Sequence, residues 1–263
     1  MKRYIFTMLI LALWCPQPAL AQIPGLKDLT DMVDKVKKTT DDTARVVKGA
    51  SGLSLQEEVA IGDAVALTIV SNYGGVWRDE AATRRVNLIG SILAQYATRQ
   101  DLQWRFGLLD SASVNAFSAP GGRVFITRGL YELLLSDHEL AGVLAHEIIH
   151  IDERHAIDSI ARGELVGGVS SLVADNNADF TAYETLVSDA ADLILVKGFD
   201  PNTEYEADAG GRNLADVTGY APGGLRTVLT RISAVSEAGG TSFSTHPSSA
   251  DRLQRLPEDL PPP

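Results

Sequence analysis

The sequence predicts a mainly helical α+β fold with one small sheet. Three observations carry this reading. Apolar residues recur at helical spacing through most of the chain, Leu102 to Leu108 alternates apolar and polar residues with the period of a strand, and a turn-forming Pro120-Gly121-Gly122 feeds a second strand-like run.

The first residues stand apart from the fold. Lys2 and Arg3 precede an apolar run from Tyr4 to Trp14 and then the small-residue pattern Ala19-Leu20-Ala21, which predicts a secretory signal peptide over 1–21. That run is shorter than the roughly 18 apolar residues a membrane helix needs, and no later segment reaches that length, so no transmembrane segment is expected in the mature chain. Cleavage after Ala21 removes Cys15, the only cysteine, and leaves a chain without thiols or disulfides. The bulky Trp14 before Cys15 argues against lipoprotein anchoring. Loss of Lys2 and Arg3 takes the formal charge from −11 to −13, a field that repels nucleic acid and anionic lipid.

Residues 22–52 are charge-dense, with Leu26, Leu29, Val33 and Val36 at helical spacing, and read as an amphipathic arm or linker. A single domain follows over 53–256. Two helical patterns occupy Ser54 to Ala97, the first ending near Asn72 to Gly75, the second starting near Asp79 with Val86, Ile89, Leu93 and Tyr96 inward. Leu102, Trp104, Phe106 and Leu108 form a strand pattern, and Pro120-Gly121 supplies a type II turn into the strand Arg123 to Thr127. Ser136 with Glu139 predicts a capping box at the start of a helix carrying Leu140, Val143, Leu144, Ile148 and Ile151.

Gly163 to Gly198 reads as two helices parted at Asp175-Asn176-Asn177. Asp200 caps a further helix with Pro201 in its first turn, closed near Gly219, and Pro222 opens another to about Val235. Gly239, Gly240 and a Ser/Thr stretch lead to His246-Pro247, and 257–263 is a Pro-rich tail.

The chemistry sits in His146-Glu147-Ile148-Ile149-His150. Two imidazoles four residues apart stack on one helix face, where both reach one ion, and Glu147 lies about 100° round the helix, beside that ion. Such a set suits one Zn²⁺ with an open position for water. Glu204 and Asp208 share a face of the next acidic helix. One can ligate while the other accepts the free ring N–H of a ligand histidine; Glu206 projects elsewhere.

With both motifs placed, residues from about Gln56 to Leu256 resemble the gluzincin peptidase family M48, the group of HtpX and the periplasmic BepA-like and LoiP-like proteases. The resemblance rests on Asn115-Ala116-Phe117 with Pro120-Gly121-Gly122, the helix from Glu139 to His155, Glu204 to Asp208, and Ser244-Thr245-His246-Pro247 followed by Arg252. It implies a zincin-type metalloprotease domain, with a small antiparallel sheet bordering the active-site cleft. It implies His146, His150 and Glu204 as zinc ligands, Glu147 as general base and Asp208 as orienting partner of a ligand histidine. It places Val124, Phe125 and Ile126 beside the cleft, where an extended substrate could add as a strand. His246 enters on the same ground, as an oxyanion donor or as an occupant of the open metal position. His138 and His155 read as residues that cap or flank the helix.

Departures are Ile149, where relatives often carry Gly, Phe199-Asp200-Pro201, where many carry Arg, and the lack of room for the TPR repeats of the BepA-like branch. The signal peptide and the resemblance together point to a periplasmic endopeptidase. Its substrates would be unfolded or misassembled envelope proteins, and peripheral association with envelope assembly machinery is compatible. The competing reading is an assembly or binding factor of the same fold with low or latent turnover. A purely structural zinc site fits less well, since such sites close all four positions, often with thiolates.

Overall fold

The computed structural model describes residues 53–161, 178–237, 245–246 and 248–257. The signal peptide with Cys15, the arm, the break at Asp175–Asn177, the glycines 239 and 240, Pro247 and residues 258–263 of the tail lie outside the described residues.

Helix α1 (Leu55–Asn72) opens on a reciprocal capping box: Ser54 Oγ accepts the Glu57 N–H at 3.3 Å and Glu57 Oε2 accepts the Ser54 N–H at 2.7 Å. Helix α2 (Glu80–Ala94) is capped by Asp79 and buries Val86, Ile89 and Leu93 as the periodicity predicts. Tyr96 does not follow them. The helix ends at Ala94, so the chain turns before the fourth residue of the stripe and leaves Tyr96 58% exposed.

Three strands follow, β1 (Arg105–Leu109), β2 (Ala116–Ala119) and β3 (Arg123–Thr127), in the order β1-β3-β2. Gly121 (φ +74) supplies the left-handed residue of the turn that pairs β2 and β3 antiparallel. The sheet is mixed and not purely antiparallel, because β1 pairs with β3 in parallel. Residues 110–115 reverse the chain and carry it past β3, so β1 and β2 run in opposite senses on its two sides.

After α3 (Arg128–Leu133) comes α4 (Asp137–Asp152), in which every residue from Glu139 to Asp152 is buried. A helix buried on all faces must be wrapped by other elements, and α4 packs against α2, β2, α7 (Pro201–Val217) and α8 (Gly224–Glu237). The α4–α7 crossing depends on Gly211, where a Cβ would sit 2.8 Å from the His146 backbone nitrogen. Only half of the predicted box at Ser136 forms. Ser136 Oγ accepts the Glu139 N–H, but the Glu139 carboxylate turns to the Leu135 N–H and to Arg231 of α8.

Helices α5 (His155–Ala161) and α6 (Ala178–Asp192), a π-helical turn (Leu193–Lys197) and the short α9 (Ser249–Arg255) complete the described fold. Asp200 caps α7 as predicted, its Oδ1 accepting from the N–H of Asn202 and Thr203. Two apolar clusters result. One joins α2, α4 and α8; the other joins α1, β2, α6 and the π-helical turn. No described helix is long and apolar enough to cross a membrane.

Candidate metal centre

One turn of α4 brings His146 and His150 together with their Nε2 atoms 3.1 Å apart. The first turn of α7 faces them with Glu204, whose Oε2 lies 3.5 Å from His146 Nε2 and Oε1 3.6 Å from His150 Nε2. Donors on a tetrahedral zinc, each about 2.0–2.1 Å from the ion, stand roughly 3.3–3.4 Å from one another, so this set fits such an ion. His246 joins it, with Nδ1 2.8 and 2.9 Å from the two Glu204 oxygens. Ligating atoms of His146, His150, Glu204 and His246 all lie within 4.8 Å of one another, a single cluster capable of coordinating one Zn²⁺.

Glu147 is buried beside this cluster, 3.9 Å from His246 Nε2, and its Oε1 has no hydrogen-bond partner among the described residues. A buried carboxylate oxygen without a partner is uncommon and marks a site with a job for it. Next to the cluster, Ala116, Phe117 and Ser118 of β2, Leu193 and Ile194 of the π-helical turn, Phe199 and Thr245 line a hollow of about 210 Å³.

The charges around the site are fixed by burial and by a few strong partners. Burial and the Arg252 charge both oppose a proton on His146. Hydrogen bonds to Asp208 and Glu204 outweigh them and raise its pKa to about 9. Burial pushes His150 well below the usual imidazole range, which keeps it neutral, as a ligand must be. Burial would raise Glu204, but the His246 charge and the His146 hydrogen bond hold it well below the ordinary carboxylate range. In the metal-free site His146 therefore holds a proton that a bound metal ion would displace, since either one places positive charge between the carboxylates.

Asp208 stands one turn after Glu204, with Oδ1 3.0 Å from His146 Nδ1. Of the residues singled out from sequence, the structure thus assembles His146, Glu147, His150, Glu204, Asp208 and His246 in one place. It does not bring Val124, Phe125 and Ile126 there as a strand for pairing. β3 is the central strand, its main chain engaged by β1 on one side and β2 on the other, so it has no free edge; the strand lining the cleft is β2.

Three residues without a site role in the sequence reading also touch the cluster. Arg252 is buried and donates from Nε to Asp208 Oδ2 at 2.9 Å. Its neighbours Asp251 and Gln254 give the segment the look of a surface helix, and only its place in the His-Pro stretch hinted at more. Phe199 stacks on the His150 ring at 4.3 Å and 14°. His155 reaches His150 with its own Nδ1 at 2.9 Å. Its spacing does not suit a continuous helix face, so periodicity could not find it.

Residues 80–259 match the profile described as Peptidase family M48. The chain is 32% identical over 164 residues to the mitochondrial metalloendopeptidase OMA1 of Schizosaccharomyces pombe, covering 61% of this chain and 48% of that protein. It is 25% identical over 266 residues to the beta-barrel assembly-enhancing protease of Escherichia coli K12, covering 96% of this chain and 51% of that protein. It is 28% identical over 167 residues to a protease HtpX homolog of Salinibacter ruber, covering 51% and 59%. The chain thus spans about half the length of these curated relatives.

Proposed function

We propose, from the premise that this chain belongs to peptidase family M48, that it is a zinc-dependent endopeptidase acting on unfolded or misassembled proteins. One observation carries the reading: the buried Glu147 carboxylate, one oxygen of which has no hydrogen-bond partner among the described residues, lies beside the converging donors of His146, His150 and Glu204. Zinc held by those three side chains would supply Lewis acidity to the scissile carbonyl and acidify the attacking water. Glu147 takes the proton of that water and delivers it to the leaving amine. Asp208 holds the His146 ring by its Nδ1–H, and the apolar walls from Phe117, Leu193 and Ile194 keep bulk water from the reacting bond. An extended substrate pairs along β2, which among the described residues is paired on one side only, by β3, and which borders the cleft.

The BepA-like and LoiP-like subgroup, a periplasmic location and envelope proteins as substrates belong to the same proposal. Supporting them are the signal-peptide pattern at 1–21 and the likeness to a protein named for beta-barrel assembly. Peripheral association with assembly machinery follows from the same likeness. The alternative, a binding or assembly factor with latent turnover, is favoured by one observation: His246 hydrogen-bonds Glu204 and stands among the ligating groups, where it can fill the position water needs. Proteolysis of an unfolded substrate by the purified protein, with and without a chelator, separates the two. Chelator-sensitive cleavage supports the peptidase; zinc binding without cleavage supports the factor.

A further inference from the structure

We infer that His155 is a positioning residue of the metal site, accepting the Nδ1–H of His150 and so fixing both the orientation and the tautomer of that ring. The inference rests on the reading of His150 as a ligand through Nε2. That nitrogen faces His146 Nε2 at 3.1 Å and Glu204 Oε1 at 3.6 Å, which turns His150 Nδ1 the other way, onto His155 Nδ1 at 2.9 Å.

Two imidazole nitrogens at that distance share one proton, one as donor and the other as acceptor. Were His155 the donor, neutral His150 would carry its own proton on Nε2, aimed into the cluster and occupying the lone pair a metal needs. Only the opposite arrangement leaves His150 Nε2 free. His155 must then hold its proton on Nε2, a buried nitrogen with no hydrogen-bond partner among the described residues, where Glu206 Oε2 stands at 3.7 Å. The two ligand histidines therefore have different supports, an anionic carboxylate behind His146 and a neutral imidazole behind His150.

The chain makes a specific local sacrifice to place His155. In a continuous helix a residue five positions on lies about 140° round the axis and could not face His150. Here Arg154 adopts φ +57, the one non-glycine at positive φ among the described residues, and this breaks α4 from α5. Arg154 is held there by Glu58, 3.2 Å from its Nη2 and itself buried under Arg99. Phe199 stacks on the His150 ring and meets the His155 ring edge-on, centroids 6.1 Å apart. A backbone conformation that disfavours arginine, clamped by an ion pair to the buried Glu58, thus delivers the imidazole to the ligand.

The test reads the metal site and not turnover alone. Long-range ¹H–¹⁵N NMR of the zinc-loaded protein should show His150 protonated on Nδ1 and His155 on Nε2. His155→Leu, which keeps bulk and removes the acceptor, should weaken zinc affinity about ten- to a hundredfold in a chelator competition while leaving the zinc-free circular dichroism unchanged. His155→Asn, whose side-chain oxygen falls where Nδ1 was, should recover affinity to within a few-fold of wild type. A proton on His155 Nδ1 in the zinc-loaded protein, wild-type affinity in His155→Leu, or no recovery in His155→Asn would each overturn the inference. Should His155→Leu not fold, the wild-type tautomers decide. A wild-type protein that binds no zinc would instead sink the ligand reading beneath it.

Discussion

Asp208 and His146 meet across the α4–α7 interface, carboxylate Oδ1 3.0 Å from ring Nδ1, and Arg252 of α9 grips the same carboxylate through Nε at 2.9 Å. Three elements far apart in sequence thereby lock one ligand ring. Burial would raise the Asp208 carboxyl, but the hydrogen bonds of His146 and Arg252 bring it down to about 2, so it stays anionic at any pH where the protein works. Asp208→Asn should therefore keep zinc but bind it about ten- to a hundredfold more weakly, read by chelator competition. Unchanged affinity would reduce Asp208 to a partner of Arg252.

The position of Glu204 depends on how closely α7 approaches α4. A methyl at Gly211 would meet the His146 backbone nitrogen at 2.8 Å and its Cα at 2.9 Å, contacts that rigid main chain cannot yield to. Gly211→Ala should cost about 1–3 kcal/mol in denaturant unfolding and weaken zinc binding as well, because separating the helices draws Glu204 from the histidines. Wild-type stability would show that the crossing is looser than the backbone geometry states.

The ion pair of Glu139 with Arg231 makes stability depend on pH. Hydrogen bonds from Arg231 hold its carboxyl below the ordinary range against the opposing effect of burial, and the Leu135 N–H adds to them. A depressed carboxyl contributes stability above its unfolded pKa, and that contribution is lost as pH falls through the folded value. On zinc-stripped protein, Glu139→Gln should thus be less stable than wild type by about 1–3 kcal/mol at neutral pH, with the gap closing below about pH 4. A gap that stays constant into acid would contradict the ion-pair origin.

His246 sits with Nδ1 on Glu204 and Nε2 3.9 Å from Glu147 Oε1, one of four groups that converge where a metal would bind, and one reading makes it the occupant of the position water needs. If it fills that position, His246→Ala should raise the rate of cleavage of an unfolded substrate. A fall of roughly a hundredfold would assign the ring to the oxyanion instead. An unchanged rate would remove it from the chemistry altogether.

Much of this site was legible in sequence because its parts follow local rules. The two ligand histidines obey helical spacing, Glu204 and Asp208 share a face, and Asp200-Pro201 marks where their helix begins. What escaped was set by long-range contacts. The parallel β1–β3 pairing depends on a crossing of six residues whose path no local pattern encodes, and it took the free edge from β3, so Val124 to Ile126 could not serve as expected. Arg252 became buried only because α9 packs onto the acidic face of α7. Glu139 looked like half of a capping box until α8 offered it Arg231, a stronger partner than a backbone N–H. His155 required a helix break at an arginine, which sequence rules assign to glycine or asparagine.

The central claim is that Glu147 is the proton carrier of a zinc peptidase and takes no part in holding the metal. It is tested by the cleavage rate of an unfolded protein by Glu147→Gln, measured together with its zinc content. The account predicts one zinc per chain, as in wild type, and a rate lower by several orders of magnitude, since the amide keeps the shape of the side chain and cannot accept the proton. A variant that cleaves at the wild-type rate, or one that loses its zinc along with its activity, would contradict it.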